Sequence, residues 1–169
     1  MKAWIEPIAD MEACDEAVDW CEQFDSLDEA WQACERGDWM LWLLGMLSGP
    51  PGSGSRKKLV LVVCQCARLA LPYVKKGEMR PLKAIETAEA WARGDEGITL
   101  QDVRDAAARA ASAASAAARV AYATYAADAA ARASDAAARA SDAAYVDTLR
   151  ECADIVREYY PVAPSMEGG

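Results

Sequence analysis

Asp128-Ala-Ala-Ala-Arg132-Ala-Ser134-Asp135-Ala-Ala-Ala-Arg139-Ala-Ser141-Asp142-Ala-Ala144 is the stretch on which the reading of this chain turns. It is a seven-residue unit written twice and begun a third time, and a heptad in strong helix formers is a helix–helix packing pattern. Asp128 and Asp135 stand four residues before Arg132 and Arg139, and those arginines stand three before Asp135 and Asp142. The polar stripe therefore pairs with itself, each pair adding roughly 0.2–0.5 kcal/mol to the helix. Residues 100–146 hold 24 alanines in 47 positions, and residues 99–160 contain neither Gly nor Pro. Alanine offers little area to bury, so its use here is geometric: it lets helix axes approach to the short end of the usual ~8–10 Å. One helix of that length would be about 90 Å long at ~1.5 Å per residue, too long for a chain of this size. The region is expected to form two or three helices, broken near residues 112–115 or 121–127.

Working outward, Thr99 is placed to cap the alanine-rich region, and Gly94 to close a helix over residues 81–93 that carries Trp91. Leu59-Val60-Leu61-Val62-Val63-Cys64 has strand propensity, but no second strand exists to pair with it. A lone strand leaves backbone groups unsatisfied, so residues 56–73 read as helix ending near Pro72. Residues 48–55, rich in Ser, Gly and Pro, read as a flexible linker. Residues 39–47 are apolar all round and predict a central helix capped by Asp38, after a break at Gly37. Ser26-Leu27-Asp28-Glu29 has the form of a capping box for a helix running to Cys34. Residues 11–24 predict one amphipathic helix, with Cys14, Val18 and Cys21 opposite Asp15, Glu16, Asp19 and Glu22. The fold class is all-α: a compact bundle of about six to eight helices in a single domain over residues 1–169, with closely packed alanine-rich C-terminal helices and a disordered tail at 161–169.

Composition narrows function. The 169 residues carry 18 Lys plus Arg against 27 Asp plus Glu, a net charge of −9, which excludes extended nucleic-acid binding. The charge is uneven. Residues 1–38 hold 2 basic and 12 acidic groups, whereas residues 56–93 hold 9 and 3. The absence of histidine removes the commonest general base and transition-metal ligand, and no catalytic residue, metal or cofactor is expected. Six scattered cysteines without paired spacing read as buried thiols in a reducing compartment. With no apolar run near the ~20 residues of a bilayer span, the expected location is the bacterial cytoplasm.

Trp31-Gln32-Ala33-Cys34, Gly37-Asp38-Trp39-Met40-Leu41-Trp42-Leu43-Leu44, the step Cys66-Ala67-Arg68-Leu69, the alanine-rich middle and Cys152-Ala153-Asp154-Ile155-Val156-Arg157 before Tyr160-Pro161 together carry a resemblance. The chain resembles a family of immunity proteins, small helical proteins of bacteria and their phages. The resemblance implies neutralisation of a toxin or other effector by binding, and it brings no catalytic motif.

The residues themselves leave two kinds of target open, with a third role beside them. Arg68, three residues after Gln65 in an apolar run, needs an acceptor: either an internal carboxylate, with Asp38 and Asp154 as partners to examine, or a bound anion. With Gln65, Trp39, Trp42, Arg119, Tyr122 and Tyr125 it makes a candidate ligand-binding set for a small anionic ligand such as a nucleotide signal, at a homo-oligomer interface built by the alanine helices. The acidic face of residues 10–38 instead suits a protein effector, a toxin or nuclease. A structural role in self-assembly is the third reading.

Overall fold

The computed structural model describes the backbone of residues 1–124 and 130–166, and the side chains of 1–112 and 144–166. Among the described residues there are eight α-helices and no strand: α1 (Glu6–Asp10), α2 (Asp15–Cys21), α3 (Leu27–Ala33), α4 (Gly37–Leu47), α5 (Gly54–Arg68), α6 (Arg80–Arg93), α7 (Leu100–Thr124) and α8 (Ala130–Tyr159), with a 3-10 turn at Leu71–Tyr73. The all-α expectation holds, and the apolar run at 59–64 is helical. Of the two windows in which a break was expected, α7 runs through residues 112–115 without one, and residues 125–127 of the other lie outside the described residues. The chain forms two compact units, one of Met1–Val62 with Leu149–Gly169 and one of Val63–Thr148.

In the first unit the core gathers Trp31, Met40, Leu43, Leu44, Leu59 and Val62 around Ala153 and Val156 of α8. Gly37 opens α4 because α8 passes over it: a Cβ built there would overlap that of Cys152 and stand 2.7 Å from the Ala153 nitrogen. Gly37 thus starts a helix through close approach, where the sequence suggested a break, and Asp38 lies in the first turn of α4 instead of capping it. Its carboxylate accepts from Nε and Nη2 of Arg36 at 2.9 and 2.8 Å. Ser26 does cap α3, its Oγ accepting from Glu29 N at 3.2 Å. The Glu29 carboxylate reaches one residue further back than in a standard box, to Asp25 N at 3.0 Å.

One expectation for this unit needs correction. The helix expected over residues 11–24 is shortened to α2 (Asp15–Cys21), because the chain turns at residues 11–12 with Glu12 in the left-handed region at φ 65°, which separates it from α1, and Cys14 is extended where it enters α2. Residues 48–53 form a closed turn, and residues 54–55 already belong to α5. The Arg56 guanidinium donates to the carbonyls of Gly45, Ser48 and Gly49 at 3.1, 3.2 and 3.1 Å, which satisfies the end of α4. The tail is drawn onto the core as far as Met166. Trp31 Nε1 donates to the Tyr160 carbonyl at 2.9 Å, Gln32 Nε2 to that of Pro161 at 2.7 Å, and Lys58 Nζ sits 4.1 Å over the Tyr160 ring. Pro161 and Pro164 forbid helix, but an extended segment can still find donors and an apolar surface.

In the second unit α6 packs against α7, and the buried face of α6 presents Ile85, Glu89 and Ala92 at helical spacing. Gly94 closes α6 in the left-handed region at φ 85°. Thr99 and Asp102 cap α7 reciprocally, Thr99 N donating to Asp102 Oδ2 at 2.8 Å and Asp102 N to Thr99 Oγ1 at 3.3 Å. Ala106 of α7 is buried, the close helix approach that alanine permits.

Candidate functional site

The short helix α2 carries Asp15, Glu16 and Asp19, with Glu22 just after it, all exposed, and Asp10 at the end of α1 and Glu12 in the turn that follows are exposed too. Their partners are few. Arg36 reaches Glu16 at 3.2 Å and the N-terminal amine reaches Glu22 at 3.5 Å, whereas Asp10, Glu12, Asp15 and Asp19 have no ion pair among the described residues. Elsewhere in this unit Lys2 pairs with Asp25 and Arg150 with Glu35, each at 3.0 Å, and the Arg150 hydrogen bond holds the Glu35 carboxyl below the usual carboxylate range. The surface is strongly anionic at neutral pH.

An aromatic layer supports it. Trp20 packs on Phe24 and Trp39, with ring centroids 4.6 and 5.8 Å apart, and the Arg36 guanidinium lies 4.2 Å over Trp39. Trp42 joins Trp20, Trp31 and Trp39 around an apolar cavity of about 50 Å³, room for one or two waters at ~30 Å³ each and not for a base. Trp39 and Trp42, expected as stacking platforms, lie together in this unit as partly buried packing around the core.

Arg68 and Gln65 come together in the second unit. Arg68 donates from Nε and Nη2 to the two oxygens of Glu89 at 3.0 and 2.7 Å, and Gln65 Nε2 approaches the same carboxylate at 3.5 Å. The internal carboxylate is Glu89; the two candidates read from sequence are engaged elsewhere, Asp38 with Arg36 and Asp154 with Arg157. The Arg68 hydrogen bonds hold the Glu89 carboxyl low despite its burial, and Glu89 in turn raises the guanidinium. Burial, and then the Glu89 charge, push the nearby Cys64 thiol up to about 11, so it stays protonated. Both Arg68 directions toward the acceptor are used, which leaves this arginine little capacity for a second anion. Sequence reasoning missed Glu89, although its place on an apolar stripe with Ile85 and Ala92 was a usable signal. The side chains of Arg119 and Tyr122, in α7, and the whole of Tyr125 lie outside the described residues.

Small all-helical proteins with internally consumed buried charge form a broad class, and comparison places this chain within it. Residues 51–146 match the Imm-5 like putative immunity protein family, and the chain belongs to that family. The match takes in Arg68 and the alanine-rich region; the motifs at 31–44 and 152–161 lie outside it. Membership gives the protein an immunity-type role, that of binding a toxin or effector partner. Such proteins are generally non-catalytic. No curated protein and no solved structure matches the chain. Among the described residues no helix is long and apolar enough to cross a membrane.

Proposed function

We propose that this protein neutralises a protein effector by sequestration, docking it on the acidic surface of α2 and the turn before it. The observation that carries this reading is the unneutralised set Asp10, Glu12, Asp15 and Asp19 over a Trp20–Trp39 layer, in a chain whose immunity-type role comes from its family. Exposed like charges weaken a fold slightly by mutual repulsion, and a basic effector surface would relieve that repulsion on binding and speed encounter. The partner is accordingly a toxin or nuclease with a cationic face, met in the bacterial cytoplasm.

The bidentate Glu89 clamp counts against a nucleotide signal seated on Arg68, and the partly buried packing of Trp39 and Trp42 against the core favours a structural part for them. The test is co-purification with a panel of bacterial toxins and nucleases that present a cationic surface, at low and high salt. A complex that holds at ~50 mM salt, weakens at least tenfold at ~500 mM and fails in Asp15→Lys/Asp19→Lys supports the docking surface. Failure to co-purify at either salt would remove it. Sedimentation of the protein alone reads the self-assembly alternative, which requires a dimer or larger species.

A further inference from the structure

A groove between α6 and α7 lies within the second unit and within the family-matched residues. It has a volume of about 350 Å³, at the lower end of the ~300–1,000 Å³ of small-molecule sites. Its α6 wall is one helical face, residues 80, 83, 87 and 90, and its α7 wall is formed by residues 106 and 109. The charge is lopsided: Arg80, Lys83 and Arg109 face a single lining carboxylate, Glu86.

Prior commitments decide which of these cations can serve a ligand. Arg80 is held by both oxygens of Glu78. Of the acidic residues on α7 near Arg109, Asp102 spends its carboxylate on the Thr99 cap and Asp105 accepts from Gln101 Nε2 at 2.8 Å. Lys83 and Arg109 make no ion pair among the described residues, and they approach the groove from different helices. The Thr87 hydroxyl donates to the Lys83 carbonyl at 2.7 Å, so its proton is turned away from the cavity. Ala90, Ala106 and Ile98 supply an apolar surface beside the two free cations. An inorganic anion would leave that surface uncovered.

We propose that this groove binds a phosphorylated small molecule of mononucleotide size, with its phosphate between Lys83 and Arg109 and its flat body against Ala90, Ala106 and Ile98. The site uses neither Arg68 nor the acidic surface, so it stands or falls independently of the effector reading. The experiment is calorimetric titration of the full chain with AMP, GMP, CMP and UMP, with adenosine and inorganic phosphate alongside, at low salt. At least one mononucleotide binds, and the nucleoside and the bare phosphate each bind at least tenfold more weakly. Lys83→Glu/Arg109→Glu loses at least tenfold in affinity while keeping its far-ultraviolet circular dichroism and melting temperature. Lys75→Glu, on the exposed loop before α6, stays within twofold of the parent. Lys83→Ala/Arg109→Ala serves as the second variant should the charge reversal unfold the unit. The proposal is overturned if none of the four nucleotides binds, if inorganic phosphate binds as tightly as the best of them, or if a folded double variant retains full affinity.

Discussion

A methyl group at position 37 would have to displace Cys152 or the backbone at Ala153, so Gly37→Ala is expected to destabilise the fold by roughly 1–3 kcal/mol, although alanine is the better helix former. The check is a urea melt with a lowered midpoint and unchanged slope; an unchanged midpoint would mean that α4 and α8 can move apart freely. The Arg68–Glu89 pair makes a second expectation. Removing Arg68 leaves a carboxylate whose side chain is 10 % exposed with only the long contacts to Arg93 at 4.0 Å and Gln65 at 3.5 Å, and because Arg68 itself is 36 % exposed the cost is discounted from that of a fully buried pair, to about 2 kcal/mol for Arg68→Ala. Arg68→Met/Glu89→Leu should recover most of that loss, because no orphaned charge remains. A double variant no more stable than Arg68→Ala would deny that desolvation governs the pair. The same pair sets an acid limit. Glu89 has a folded pKa below its unfolded value, so its contribution is complete above the ordinary 4.5 and is lost as pH falls through the lower folded value. Between pH 6 and pH 3 the parent should lose more stability than Glu89→Gln; parallel curves would contradict the assignment.

Among the elements, α3 offers the simplest measurement. Ser26→Ala removes the Oγ that accepts from Glu29 N, and an N-cap lost in this way costs about 1 kcal/mol, read as a fall in melting temperature of several degrees. Glycine at 26 should fall only slightly below the parent, since it tolerates the cap backbone. The features legible in the sequence were those that act within a few residues of themselves: Ser26 with Glu29, Gly94 behind α6, Thr99 with Asp102. The helical state of residues 59–64 was legible by elimination, since a strand needs a partner. The rest depended on contacts distant in sequence. Residues 48–55 look flexible until Arg56 folds back on three carbonyls, and the tail looks free until Trp31, Gln32 and Lys58 are brought beneath it. The division between α1 and α2 had no local signal, because the left-handed residue is Glu12 and not glycine or asparagine. Of the candidate site, the need of Arg68 for a partner was legible. Which carboxylate answers it was not, because Glu89 lies 21 residues further on in another helix.

At the scale of the whole molecule the charge is segregated along the chain, 12 acidic and 2 basic groups in residues 1–38 against 3 and 9 in residues 56–93. The acidic surface, the wholly apolar Trp cavity behind it and the Arg68–Glu89 clamp describe a chain that holds its buried groups fixed and leaves its charge outside. That is the construction of a binder, in keeping with the immunity-type role of its family. Electrostatic docking of this kind acts mainly on the rate of association, so substitutions on α2 should slow capture more than they hasten release. The most direct test is a titration calorimetry series on the toxin or nuclease that co-purifies at low salt, using the parent protein and Asp15→Lys/Asp19→Lys. The account predicts a stoichiometric, reversible complex that blocks the effector without altering it covalently, and an affinity at least tenfold weaker in the variant. Equal affinity for the two proteins, or covalent turnover of the effector by the parent, would contradict it.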